Sequence, residues 1–207
     1  YNTESAGEFW GMEFGYPTSI CNIISMTYEE LPPALIESYM EAIDKQFRGY
    51  NKYTAANKVW QCQAVMLRGV MGKVDSWLTD ARDAMVTVCQ YVTSGEGLYE
   101  DGSMIQHHGI PYNGGYGKSL FREYTQMVSL LYGSDYEVTA PLNEQMYQIA
   151  FDAYADYIYR GEFMDMTRGR EIASPLKRNS HRIGHQAMHG FILSLIHISE
   201  PTRPEPI

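Results

Sequence analysis

The sequence predicts an all-α protein, a succession of amphipathic helices joined by loops. Apolar residues recur at helical spacing in six separate stretches. The segments between them are rich in Gly, Pro, Asn and Ser, which end helices and form turns. Neither an internal repeat nor a low-complexity block interrupts the pattern. Helices joined this way fit a bundle, a helical solenoid or an α/α toroid alike, and periodicity does not choose among them.

Pro32-Pro33 opens the first pattern, which runs through Leu35, Ile36, Tyr39, Met40 and Ile43; proline suits a first helical turn. The second starts at Ala55 and runs through Val59, Cys62, Val65 and Met66. Gly69 reads as its C-terminal stop, which places the end near Arg68. Residues 75–88 repeat Leu78, Ala81, Met85 and Val88. Residues 117–132 repeat Leu120, Tyr124, Met127, Val128 and Leu131. Residues 143–159 are amphipathic through Met146, Ile149, Ala150, Ala153, Tyr157 and Ile158, and residues 180–192 form the last pattern.

The 207 residues carry a formal net charge of −9 and 44% hydrophobic content, enough for a real core and unlike a disordered chain. A pI near 5.1 argues against a general nucleic-acid binder, which needs clustered cationic surface. No apolar run approaches the roughly 18 residues that would suggest a membrane span. Cys21, Cys62 and Cys89 make no disulfide framework and match no zinc spacing; the apolar surroundings of Cys62 and Cys89 predict buried free thiols. Seventeen tyrosines supply flat apolar rings with polar tips, suited to stacking on sugars and to wet clefts.

Both ends read as foreign to a complete domain. The chain opens at Tyr1 with neither Met nor a leader pattern, which predicts a piece of a longer protein. Residues 193–203, LSLIHISEPTR, resemble the in-frame translation of a transposase sequencing adapter. Residues 193–207 are therefore expected to be a non-native tail, and residues 1–192 the domain proper. Setting aside Glu200, Arg203 and Glu205 leaves −8 for the domain.

The longest irregular stretch, residues 93–116, holds seven Gly or Pro residues together with His107, His108 and Tyr116. A long loop of this kind inside a helical domain is usually functional. Asn57 sits at the start of the second helical pattern, and Arg168 and Arg170 flank Gly169. These side chains are a base, an acid, an amide donor and cationic clamps. Taken singly, each also has a plainer reading: a surface histidine, a helix cap, solvated charges.

Taken together they carry a resemblance. DGSMIQH over residues 101–107, followed by PYNGGYG over 111–117, resembles the signature loop of polysaccharide lyase family 8, which includes hyaluronate, chondroitin and xanthan lyases. TAAN over 54–57 with LRG over 67–69 resembles its Asn-bearing helix, DMTRGR over 165–170 its arginine segment, and FWGMEFGYP over 9–17 its aromatic patch. The resemblance implies an α/α toroid, an incomplete ring of helical hairpins here, followed in the family by β-sheet domains this chain lacks. It implies a carbon–oxygen lyase acting on an acidic polysaccharide, with no cofactor and no metal, monomeric at full length, secreted or at the cell surface. Position by position, Asn57, His107 and Tyr116 match the catalytic trio, and Arg170 matches a catalytic arginine. Phe9 and Trp10 match sugar-stacking positions, and Gln106, His108, Arg168 and Arg178 are candidate substrate contacts.

The chemistry needs these residue types. β-Elimination removes the proton at C5 of a uronate, beside a carboxylate, so the site must first blunt the carboxylate charge. A neutral amide such as Asn57 does this by hydrogen bonding. His107, if neutral, is one base and an ionised Tyr116 the other; the sequence leaves the two open. The leaving O4 needs a proton, which a phenol can give. Arg168 and Arg170 can grip carboxylate bidentately. With Lys177, Arg178 and Arg182, they supply local positive charge against an acidic whole, and the local field steers a polyanion.

The pattern departs from the family in places. Ser174 stands where a second arginine is usual, with Arg178 as a candidate replacement, and Glu8 and Met12 thin the aromatic patch. His181, His185 and His189 share one helical face, a weak metal signal with no acidic ligand at motif spacing. The alternatives to a lyase are a non-catalytic carbohydrate-binding homologue, an inactive fragment, or a helical metal protein on those three histidines.

Overall fold

The structure is a computed structural model and describes residues 10–47, 49–139 and 142–173. It separates into two units, Tyr1–Val88 and Cys89–Ile207. The expectation of a predominantly helical chain holds in both.

In the first unit, a π-helical turn over Gly11–Gly15 runs directly into α1 (Tyr16–Thr27). The periodicity assigns no helix there, yet α1 buries Pro17, Cys21 and Ile24 at helical spacing. The first expected helix appears as α2 (Pro33–Asp44), and the third pattern as α4 (Asp75–Val86), which passes into a 3₁₀ turn over Thr87–Cys89. Cys21, Ile24, Ile36, Met40, Ile43 and Met71 form one core cluster.

Helix α3 (Ala55–Gly72) runs past the expected stop at Gly69. Its end is set by Lys73 in the left-handed region (φ 54), with Val74 N–H reaching back to Gly69 O at 3.0 Å. That is the bonding pattern of a helix C-terminus closed by a left-handed residue. Gly69 has a different task. A Cβ there would lie 3.0 Å from Leu78 Cγ and 3.3 Å from the Leu78 backbone nitrogen, so glycine lets α4 approach α3 closely.

In the second unit, the 93–116 stretch is more regular than its sequence suggests. It contains a three-stranded antiparallel sheet of β1 (Gly97–Leu98), β2 (Met104–Gln106) and β3 (Ile110–Pro111), with Gly97 opposite Ile105 and Ile105 opposite Pro111. A π-helical turn over Asn113–Gly117 then leads into α5 (Lys118–Leu131), whose buried face includes Leu120, Phe121, Tyr124, Met127, Val128 and Leu131. Helix α6 (Leu142–Tyr154) ends earlier than its pattern implied: Tyr157 lies in a 3₁₀ turn and Ile158 begins β4 (Ile158–Tyr159). β4 pairs with β5 (Glu162–Phe163) across Arg160-Gly161, both with positive φ (54 and 86), as a tight hairpin turn requires. The expected helix over 180–192 lies outside the described residues.

The three cysteines are buried and free. Burial pushes each thiol up from its ordinary 9.0 to about 12, so none is a poised nucleophile.

Candidate functional site

The second unit gathers His107, Tyr116 and Arg170. β2 and β3 are joined by His107, His108 and Gly109, all three in the left-handed region (φ 53, 61 and 100). Two consecutive non-glycine residues in that region are unusual, and such strain persists only where the surroundings impose it. The turn sets the His107 ring 4.7 Å from the Tyr116 ring, edge to face, and 6.1 Å from the Tyr112 ring. His107 Nε2 is buried and has no protein hydrogen-bond partner, so that nitrogen is uncommitted.

Tyr116 projects from the π-helical turn ahead of α5. Arg170 Nη2 donates to its phenolic oxygen at 3.0 Å. Burial raises the Tyr116 pKa above the ordinary 10.0, while the Arg170 charge pulls the other way. The effect of burial is the larger of the two.

Residues behind His107, Tyr116 and Arg170 hold them. Asn113 Nδ2 donates to Gly102 O at 2.8 Å and to Ala153 O at 2.6 Å, while its Oδ1 accepts Met104 N–H at 3.1 Å. One buried amide thus joins the sheet, the π-helical turn and the end of α6. Tyr112, buried beside Tyr116 with ring centroids 5.0 Å apart, accepts the Arg170 backbone N–H. Sequence reading missed both as positioning residues; their place inside the PYNGGYG segment was the only signal.

The remaining candidates fall as follows. Gln106 is 1% exposed, and neither its amide nitrogen nor its oxygen has a partner. His108 is exposed at the turn tip. Arg168 pairs with Asp165 at 2.9 Å and is packed against Gly114. Arg178 and Phe9 lie outside the described residues, as do Ser174, Lys177, Arg182 and the histidines 181, 185 and 189. Among the described residues, no group of three or more His, Cys, Asp or Glu side chains is placed to hold a metal.

Asn57 and Trp10 lie in the first unit. Asn57 is the third residue of α3 and is half-buried. It is not the cap: Thr54 occupies that position, in extended conformation. Ala55, between them, has φ 46, a strained start for a non-glycine residue. Trp10 is 44% exposed and stands edge-on to Trp60 at 5.7 Å. Phe14, Tyr53 and Trp60 continue this aromatic group, with Phe14 and Tyr53 5.1 Å apart. Tyr53 donates to the Glu13 carboxylate at 2.6 Å, fixing the π-helical turn to the approach of α3. The contact between Trp60 and Trp10 was not visible in sequence, because fifty residues separate them.

A family model described as polysaccharide lyase family 8, N terminal alpha-helical domain, matches residues 1–205. The chain belongs to that family. The hyaluronate lyase of Thermasporomyces composti is 31% identical over 201 residues, covering 96% of this chain and 25% of that protein. The xanthan lyase of Bacillus sp. (strain GL1) is 33% identical over 200 residues, covering 96% of this chain and 21% of that protein. The chain therefore spans a quarter or less of these relatives' length. A Paenibacillus xanthan lyase structure aligns with a TM-score of 0.84 at 32% identity, over 93% of this chain and 18% of that one. The chondroitin AC lyase of Streptomyces coelicolor A3, in complex with chondroitin sulphate, aligns with a TM-score of 0.84 at 30% identity, over 97% of this chain and 29% of that one. The fold is that of the family 8 helical domain.

Proposed function

We propose that this chain is the catalytic helical part of a family 8 lyase, a portion of an α/α toroid, that cleaves uronate-containing glycans by β-elimination. The observation that carries the reading is the Tyr116 phenol, held at 3.0 Å by Arg170 and lying edge to face against the His107 ring.

In this mechanism Asn57 donates its amide hydrogens to the uronate carboxylate and takes up charge as it develops there. His107 accepts the C5 proton. The C5–H electrons become the C4=C5 double bond, the C4–O4 bond breaks, and O4 takes the Tyr116 proton. Return of the proton from His107 to Tyr116 through solvent resets the site. We assign the acid role to the half-buried Tyr116, which Arg170 holds, and the base role to His107. Arg170 holds the phenol and offsets negative charge at the reacting face.

Trp10, with Phe9 beside it in sequence, is suited to stack on sugar rings, and His108, Arg168 and Arg178 to meet acidic groups along the glycan. Gln106, being buried, is suited to act from behind the hairpin. The whole protein is a monomer that acts outside the cell on acidic polysaccharides such as those named for its relatives.

The test is to incubate the full-length gene product carrying this chain with hyaluronate, chondroitin and xanthan and follow ultraviolet absorbance of the new double bond. A rise with at least one polymer is expected. Binding without any rise would instead support a carbohydrate-binding homologue.

A further inference from the structure

The first unit holds buried polar groups that this chemistry does not use. Gln61 and Arg68 lie seven residues apart on α3, hence on one face, and each is 2% exposed. Gln61 Nε2, Gln61 Oε1 and Arg68 Nε all lack a protein hydrogen-bond partner. Arg68 Nη1 pairs with Asp44, and the guanidinium stacks on the Trp77 ring at 3.7 Å. Both residues line a cavity of about 10 Å³, with Glu13 and Phe47 among its other walls.

A buried amide with neither its donor nor its acceptor met is rare, and such a group is usually satisfied by internal water. The cavity is the size for one water molecule. Its chemistry favours water over an ion. A cation would face the Arg68 guanidinium, and an anion would face the Glu13 carboxylate. Water can accept from Arg68 Nε–H, exchange a hydrogen bond with the Gln61 amide, and donate to Glu13.

We propose that one ordered water occupies this cavity, held by Gln61 and Arg68, and fastens the Gly11–Gly15 turn to α3. Gln61 follows Asn57 by one helical turn, and Trp10 immediately precedes the Gly11–Gly15 turn, so the water joins the segment bearing one to the helix bearing the other. The proposal is independent of the lyase reading.

Two measurements test it. A high-resolution crystal structure of the protein carrying this chain should show a density peak within hydrogen-bond reach of the Gln61 amide and Arg68 Nε. Thermal unfolding of the near-isosteric Gln61→Met should show a midpoint lowered by a few degrees, because the water loses a partner and Arg68 its bridge. An empty cavity at that resolution overturns the proposal. So does an unchanged or raised midpoint, because replacing an amide that truly lacked partners would relieve a penalty.

Discussion

The Tyr112 hydroxyl accepts the backbone N–H of Arg170 at 3.1 Å, bridging 58 residues of chain. The Tyr112 ring fills space that two glycines leave for it. A Cβ on Gly115 would lie 2.2 Å from a ring carbon, and one on Gly169 2.4 Å. One buried phenol thus sets the arginine turn against the π-helical turn, and the Arg170–Tyr116 hydrogen bond follows from that seating.

Tyr112→Phe keeps the ring and removes the oxygen, leaving the Arg170 N–H without its partner. Stability should fall by about 1–2 kcal/mol in urea unfolding, the usual penalty for an orphaned donor. Turnover should fall further than stability explains, because Arg170 loses its seat beside Tyr116. Steady-state kinetics on the folded variant checks this; an unchanged rate would mean that Arg170 is seated by other contacts.

Gly102 packs with no room for a side chain. Its φ is +83, and a Cβ would lie 2.1 Å from Asp152 O. Gly102→Ala should destabilise by more than about 2 kcal/mol, combining backbone strain with a clash against a main-chain atom. Because Gly102 O also accepts from Asn113, the His107 hairpin should loosen with it, visible as faster amide exchange over β2 and β3.

Much of the scaffold was legible in the sequence, for reasons specific to each element. Helices α2, α4 and α5 repeat apolar residues over three turns or more, so their patterns stand out. α1 did not stand out because only Pro17, Cys21 and Ile24 of its twelve residues are buried. Gly69 misled because glycine serves close packing as well as helix ends, and contact with Leu78 is not local information. Strands of two or three residues have no period to read, which is why the 97–111 sheet was hidden. At the site, His107, Tyr116 and Arg170 were legible through a family pattern. Tyr112, Asn113 and Trp60 were not, since their work is defined by partners far along the chain.

Alkaline pH should weaken the fold. Cys21, Cys62 and Cys89 keep their protons to about 12 when folded, against an ordinary value of 9.0. Below pH 9.0 both states carry those protons and stability is unaffected. Between 9.0 and about 12 the unfolded chain binds fewer protons, so stability falls as pH rises. The buried phenols of Tyr124 and Tyr154, also pushed up, add in the same direction. Denaturant midpoints across this window should decline steeply, and less steeply in Cys89→Ala.

Arg170 lowers the Tyr116 pKa against the larger upward push of burial. Removing its charge should therefore let Tyr116 hold its proton to higher pH. In Arg170→Met, kcat/KM should drop by about 100-fold, and its alkaline limb should move upward. A limb that stays in place or moves down would remove Tyr116 from the acid role.

The most direct measurement is turnover by Tyr116→Phe in the full-length gene product, followed by ultraviolet absorbance on a uronate polymer that the parent cleaves. Circular dichroism would confirm that the variant is folded. Without the phenolic proton, O4 has no acid, and the rate should fall by at least about 100-fold while polymer binding persists. A folded Tyr116→Phe that cleaves at near-parental rate would contradict the account.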